Sequence, residues 1–156
     1  MITKHQKAKW RTLVGTAVLS FCDIEFITQE CLKHLPTDNI CKSVSTLPFG
    51  RRVDLIIEIL QGWANTPKAA TTLIEKLKLA KKLFSKYRNV LAHNPLCVDI
   101  YVQHETGDIV LDHSISSLRE KEKSINFASL KKLADEVEDL ASELYKTLEK
   151  VIKEVK

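Results

Sequence analysis

The order of apolar and polar residues predicts helices over most of the chain, because apolar residues recur every three or four positions. The first such segment runs from about His5 to His34, and Pro36 then marks a break. Its apolar positions are Trp10, Leu13, Val14, Ala17, Phe21, Ile24, Cys31, Leu32 and Leu35. A second apolar side, formed by Val18, Cys22 and Phe26, predicts that this helix lies at the centre of a bundle.

The same periodicity predicts three more helices. One covers residues 50–62, and the next ends by Asn94, because Pro95 disfavours helical geometry in the residue before it. Ser124 or Asn126 could cap the start of the last helix. The apolar positions of the three are, in order, Val53, Ile56, Ile57 and Leu60; Leu73, Leu77, Ala80, Phe84, Tyr87 and Leu91; and Leu130, Leu133, Val137, Leu140, Leu144, Leu148, Val151 and Val155.

Between the last two helices, two short runs rich in β-branched residues flank a turn that contains Gly107. This pattern predicts a β-hairpin over about residues 97–113, followed by a charged, exposed link over 114–124. An isolated hairpin is only marginally stable, so we expect it to pack on the bundle or on a partner chain.

The composition agrees with this assignment of elements. A chain of 156 residues with 44% hydrophobic content supports one domain, spanning residues 1–156, with a real core. The four glycines and four prolines are few, and helix-forming residues dominate. The predicted fold is mostly α, an up-and-down bundle of four to five helices with the hairpin inserted. The fifth helix would be a single turn around residues 40–44.

The formal net charge of +4 is unevenly distributed. Residues 68–88 contain seven lysines and arginines against the single acid Glu75. Such a segment attracts phosphate backbones, although a lysine-rich helix face is often simply solvated. The positive charge therefore makes RNA or DNA a candidate partner without proving it.

Cysteine usage and hydropathy point to a cytoplasmic protein. The four cysteines, Cys22, Cys31, Cys41 and Cys97, form no C-x-x-C pair and are expected to be reduced core residues. The longest apolar run is broken by Asp23 before it could span a membrane, and no signal peptide is recognisable. His5, His34, His104 and His113 lie apart in the sequence without the spacing of metal ligands, so we expect no metal site. Gly-rich phosphate loops and common hydrolase motifs are also missing from the sequence.

The main candidate for chemistry is the segment from Ser85 to Pro95, which contains Arg88, Asn89 and His93 among mostly apolar residues. Polar groups are costly in such a segment unless they are paired or used. At about 100° per residue, Asn89 and His93 share one side of a helix, whereas Arg88 and His93 diverge by about 140°. Either the last turn unwinds, or a second chain completes the site.

This segment resembles the signature of the HEPN family of small helical proteins. The resemblance depends on the Arg-Asn pair, the small residue before His93, the Asn-Pro helix stop and the long amphipathic helix that leads in. It implies a homodimer that cleaves RNA without metal or cofactor, with Arg88 and His93 as the catalytic pair and Asn89 as polar support. It also implies toxin–antitoxin or phage-defence roles and a cognate antitoxin or regulatory protein as a partner.

The chemistry of these residue types fits RNA cleavage, because the ribose 2'-hydroxyl can attack its own phosphate. An imidazole that titrates near neutrality, His93, could move the protons, and the Arg88 guanidinium could hold the phosphate. One departure from the family concerns regulation. Toxins of the family that are silenced by nucleotidyl transfer carry a tyrosine two residues after the histidine, where this chain has Pro95.

Further residues are candidates for supporting roles. Arg51 and Arg52 open the second helix, where guanidinium groups beside free N–H groups suit a phosphate, unless they point outward or pair with nearby acids. Lys82 and Lys86 would attract the RNA backbone. Glu25 would fix Arg88 or His93, or else lie at the edge of the apolar surface, and Tyr87 would support the motif.

The alternative interpretation keeps the fold without the catalysis. The chain would then be a dimeric binding or regulatory module in which Arg88, Asn89 and His93 tie helices together, bonded to Glu25 and helix-end carbonyls. Solvent exposure separates the two interpretations. Catalysis requires Arg88 and His93 to be reachable from solvent, whereas a structural role requires them to be enclosed and paired.

Overall fold

The structure, a computed structural model, describes residues 3–35, 44, 46–117 and 124–155. In that part of the chain it is mostly helical with a small antiparallel sheet, which confirms the predicted fold class. The helices are α1 (Lys4–His34), α2 (Phe49–Gln61), α3 (Lys68–Leu83), a π turn (Phe84–Arg88), α4 (Asn89–His93) and α5 (Phe127–Val155). The helical turn expected around 40–44 lies outside the described residues, apart from Val44.

Helix α1 has the predicted bounds and the predicted central position. A capping box starts it: the Thr3 hydroxyl accepts from the Gln6 N–H, and the Gln6 side chain accepts from the Thr3 N–H. The helix contacts α2, α4, α5 and the π turn. Its residues Ala17, Phe21 and Ile24 are completely or almost completely buried among these neighbours.

The directions of the helices follow from a few contacts. Helix α3 runs antiparallel to α2 and α5, so the predicted alternation holds from α2 onward. Helix α5 runs parallel to α1, and Trp10 meets Phe127 edge to face near both helix starts, with ring centroids 5.2 Å apart. Asn126 accepts a hydrogen bond from the Ser129 N–H, which confirms it as the cap of α5.

The predicted hairpin is part of a three-stranded antiparallel sheet. Its strands, in sheet order, are β1 (Leu96–Val102), β2 (Ile109–Ser116) and β3 (Ser124–Asn126). The prediction of an exposed link over 114–124 is wrong at its start, because Ser114 and Ile115 are buried in β2; Ser124 is exposed but already belongs to β3, and residues 118–123 lie outside the described part of the chain. Ile125, just after the predicted link, is buried opposite Ile115. The turn uses Gly107 at a positive φ of 72°, which other residues rarely adopt.

The cysteines differ from one another in environment. Cys31 is buried in α1, and desolvation raises the pKa of its thiol to about 12, with a smaller contribution from the charge of Glu30. It therefore stays protonated and acts as an apolar core residue, as expected. Cys22 is exposed and Cys97 half-buried, so the prediction of core positions was wrong for Cys22, and Cys41 lies outside the described residues.

No helix of the described ranges is long and apolar enough to cross a membrane.

A buried ion pair joins α1 to α2. Nη2 of Arg52 lies 3.5 Å from Oε2 of Glu25, and the arginine side chain is 5% exposed while the glutamate side chain is 33% exposed. The carboxylate thus compensates a guanidinium that would be costly to bury alone. The pair fixes how the start of α2 sits against α1.

We expect Glu25→Gln, which keeps the shape of the side chain but removes its charge, to lower the free energy of unfolding by about 1–2 kcal/mol. The effect is moderate because the contact is long and the carboxylate is partly solvated. Glu58→Gln, at an exposed position of α2, is the control and should change the stability by no more than about 0.5 kcal/mol. Equal effects in urea denaturation would show that the pair contributes nothing specific.

Candidate functional site

The candidate site lies at the end of the long helical segment formed by α3, the π turn and α4. α4 remains α-helical up to His93, and Asn94 is extended, with φ −114° and ψ 143°. The Asn94 side chain donates to the Val90 carbonyl at 2.9 Å and closes the last turn. The expected stop before Pro95 is confirmed. The last turn is not unwound, because the helix persists through His93. His93 therefore does not swing toward Arg88.

A π turn precedes this last α-helical turn, and the sequence did not predict it. It covers Phe84–Arg88, where backbone hydrogen bonds span five residues instead of the four of an α-helix. The π geometry ends at Arg88, and α spacing therefore applies from Arg88 to His93. The divergence of about 140° between the two side chains remains. Short π segments inside α-helices are frequent at functional sites.

Phe84 supports the site from below. Its ring stacks on Phe49 of α2 with centroids 4.0 Å apart, and it meets Phe21 of α1 edge to face at 5.4 Å. The Arg88 guanidinium carbon lies 5.8 Å from the centre of the same ring. Phe84 thus positions the arginine, a role that sequence reasoning missed. The signal was present in the four-residue spacing from an aromatic residue to the arginine.

The motif side chains face solvent. Asn89 and His93 are exposed and Arg88 is half-buried. Within the described ranges, no side-chain hydrogen bond or ion pair engages any of the three. The enclosed and fully bonded cluster that a structural role would need is therefore not what this chain forms. These groups are free to meet a ligand.

Two of the expected supporting residues have another role. Glu25 pairs with Arg52 and not with Arg88 or His93, so its assignment to the motif is corrected. Arg52 is also corrected as a phosphate ligand, because its side chain is buried between α1 and α2. One of the two guanidinium groups at the start of α2, that of Arg52, therefore serves the packing of α2 against α1.

Arg51 keeps the properties of a candidate phosphate ligand. It is exposed in the first turn of α2, and Phe49, two residues earlier, stacks on Phe84 of the π turn. The start of α2 therefore lies beside the motif segment. The prediction that Arg51 binds phosphate remains open.

The lysines of α3 and of the π turn include paired and unpaired side chains. Lys81 binds Asp54 at 2.5 Å, and Lys76 binds Glu143, where its hydrogen bond lowers the pKa of the carboxyl. Lys82 and Lys86 are exposed, and the Lys86 ammonium lies 4.8 Å from the centre of the Tyr87 ring. Tyr87 itself is half-buried against the core. The two predicted phosphate-attracting lysines are thus accessible.

An apolar groove borders the motif helix. It has a volume of about 400 Å³ and lies between α1, the end of α4 and the base of the sheet. Its walls include Leu91, Leu96 and Ile115, and Lys7 and Arg11 also line it. Among the described residues, no group of three or more His, Cys, Asp or Glu side chains could hold a metal ion.

No family model matches the chain, and neither the curated proteins nor the solved structures include a match. The resemblance to HEPN proteins accordingly rests on the motif segment at residues 85–95 and on the helical fold around it.

Replacing Phe84 by leucine tests its position at the meeting point of α1, α2 and the π turn. Phe84→Leu keeps an apolar side chain but loses two ring contacts, each contributing about 0.5–1.5 kcal/mol, so we expect the free energy of unfolding to fall by about 1–3 kcal/mol. Phe127→Leu, which loses the single contact with Trp10, should cost about half as much. A loss no larger than that of the control, measured by urea denaturation, would contradict the central role of Phe84.

Proposed function

We propose that this protein is a homodimeric endoribonuclease of HEPN type, which cleaves RNA without metal or cofactor. The observation that carries the proposal is the exposure of Asn89 and His93 beside a half-buried Arg88, without hydrogen-bond or ion-pair partners in the described residues. These side chains are therefore accessible to a ligand, which the catalytic interpretation requires. We propose a cytoplasmic location and a toxin or defence role, with a cognate antitoxin or other regulatory protein as partner.

The proposed reaction is an internal transesterification. The ribose 2'-oxygen attacks the adjacent phosphorus, the bond to the 5'-oxygen breaks, and a cyclic phosphate and a 5'-hydroxyl result. One His93 imidazole takes the 2'-hydroxyl proton, or protonates the leaving oxygen. Arg88, steadied by the Phe84 ring, offsets the negative charge that grows on the phosphate oxygens. Asn89 donates a hydrogen bond to the phosphate or orients His93.

The two-subunit part of the proposal follows from helix geometry. Arg88 and His93 point about 140° apart on a continuous α-helical turn, so one chain does not bring both to one phosphate. A two-fold axis beside the motif would set the arginine of one subunit near the histidine of the other. The alternative, a dimeric module that binds RNA or protein without cleaving, keeps this geometry and differs only in activity.

Replacing His93 by alanine separates these two functions. We expect the parent protein to cleave single-stranded RNA in buffer that contains a chelator, and His93→Ala to lower the rate by about 10²–10⁴-fold, the usual contribution of a general acid or base. His34→Ala, at an exposed position near the end of α1, is the matched control and should retain the parent rate. Cleavage that persists in His93→Ala, or that is missing from the parent protein, would remove the support for catalysis at this site.

A second substitution tests the phosphate contacts. We expect Arg51→Ala to weaken binding of single-stranded RNA several-fold and to reduce the salt dependence of binding, because one cation near the motif is lost. Lys33→Ala, at an exposed position near the end of α1 that is paired with Glu30, is the control. Fluorescence anisotropy at two salt concentrations measures the affinity for RNA and its salt dependence. Equal affinities of Arg51→Ala and the parent protein would assign Arg51 to the solvated surface.

A further inference from the structure

The outer part of the hairpin carries an apolar face that nothing in the described chain covers. We call residues 98–113 the arm. Alternate residues of a strand share a face, and the register pairs Ile100 with Leu111 and Val102 with Ile109. Ile100 is 70% exposed and Ile109 71%, and their cross-strand partners are exposed as well. The arm therefore presents one continuous apolar face to solvent.

The rest of the sheet does not stabilise the arm. Strand β3 pairs only with Ser114–Ser116, so the arm is a two-stranded ribbon, which is marginally stable alone. At its base, Leu96 and Ile115 continue the same face and line the groove beside α4. The exposed face and the groove are thus neighbours on one surface of the molecule.

The groove and the arm carry opposite charges. Helix α1 contributes four lysines and arginines before its first acid, Asp23, and Lys7 and Arg11 line the groove. The arm contains no lysine or arginine and four acids, of which Asp99 and Asp112 pair across the opposite face of the ribbon, while Glu105 and Asp108 lie at its turn. A surface that holds an apolar projection, an apolar groove and complementary charges can pair with a copy of itself about a two-fold axis.

We propose that the arm of one subunit docks in the groove of a second copy, and that the second arm docks reciprocally in the first groove. Apolar side chains such as Ile100 and Leu111 fill the groove, and the acids at the turn of the arm, Glu105 and Asp108, meet Lys7 and Arg11. Leu91 and Asn94, which line the groove, flank His93 in sequence, so the docked arm lies next to the motif of the partner subunit. The proposal rests on the proposed function only in that the active unit is a dimer.

The position of Gly15 offers a sharp test of the groove. It lines the groove, and an added Cβ would meet no atom within 4 Å. A side chain introduced there therefore starts from open space at its Cβ. Gly15→Leu should fill the groove and raise the dissociation constant of the dimer at least 100-fold, whereas Gly15→Ala should leave the dimer intact. Thermal unfolding followed by circular dichroism checks that both variants remain folded.

Substitutions in the arm test the other half of the contact. The molar mass, measured by sedimentation velocity over a range of concentrations, should be twice the 17.7 kDa of the chain for the parent protein. Ile100→Glu with Leu111→Glu should shift it to the monomer. The matched control, Leu19→Glu with Phe26→Glu, changes two exposed apolar residues of a second groove, on the opposite side of α1, and should leave the dimer unchanged.

A charge exchange tests the electrostatic part and needs no exact pairing of residues. Lys7→Glu with Arg11→Glu should weaken the dimer at least tenfold, and so should Glu105→Lys with Asp108→Lys. The protein that carries all four changes should regain most of the affinity, because opposite charges again face each other. Failure of the combined variant to recover would overturn the docking of the arm at this rim.

The outcomes distinguish this proposal from the proposed function. A parent protein that stays monomeric overturns both the arm exchange and the two-subunit site. A dimer that survives the arm substitutions or Gly15→Leu overturns the arm exchange alone. Loss of the dimer in the Leu19 and Phe26 control, with the arm variants intact, assigns the interface to the opposite groove. His93→Ala should remain a dimer, so loss of cleavage there reports on chemistry and not on assembly.

Discussion

The packing of Phe84 between Phe21 and Phe49 is the interaction on which the candidate site depends. It joins α1, α2 and the π turn in one aromatic cluster. One edge-to-face and one stacked ring pair stabilise the fold by more than the burial of their apolar area alone. The same ring lies under the Arg88 guanidinium. An element of the core therefore fixes the direction of a residue that faces solvent, which is how a rigid scaffold prepares a site before the ligand arrives.

Helix geometry imposes the second constraint. The π turn ends at Arg88, and the following residues keep α spacing up to the stop at Asn94. Had the last turn unwound, a single chain could have gathered the arginine and the histidine. Because the helix persists through His93, Arg88 and His93 of one chain do not converge. One of the two groups would then have to come from another chain. A second copy is the simplest source, since a two-fold axis can set the arginine of each copy beside the histidine of the other.

Sequence periodicity predicted the parts of the fold that depend on local alternation of apolar and polar residues. Helix α1, the Asn126 cap and the hairpin all follow from it. It did not predict the π turn, because apolar positions such as Phe84 and Leu91 fit an uninterrupted α-helix equally well. Nor did it predict the third strand: Ile115 and Ile125 belong to separate short runs, and only their pairing across the sheet shows that both are core residues.

The candidate site was predictable to the extent that its residues are close in sequence. Arg88, Asn89 and His93 lie in one segment, and their exposed or half-exposed positions are those that the catalytic interpretation requires. The roles of Glu25 and Arg52 were not predictable, because their ion pair joins residues 27 positions apart. Spacing within one helix cannot indicate which of several cations a distant carboxylate meets.

The distribution of charge gives the two proposals a common physical basis. Two regions of the chain are rich in cations and poor in acids, the first half of α1 and the segment from α3 to Arg88, whereas the arm is acidic. An acidic arm held against Lys7 and Arg11 of a partner would neutralise the first region. The second region, with Lys82, Lys86 and Arg88, would keep its charge for phosphate. Reciprocal docking would thus neutralise one basic region and leave the other, beside Arg88 and His93, to attract a phosphate backbone.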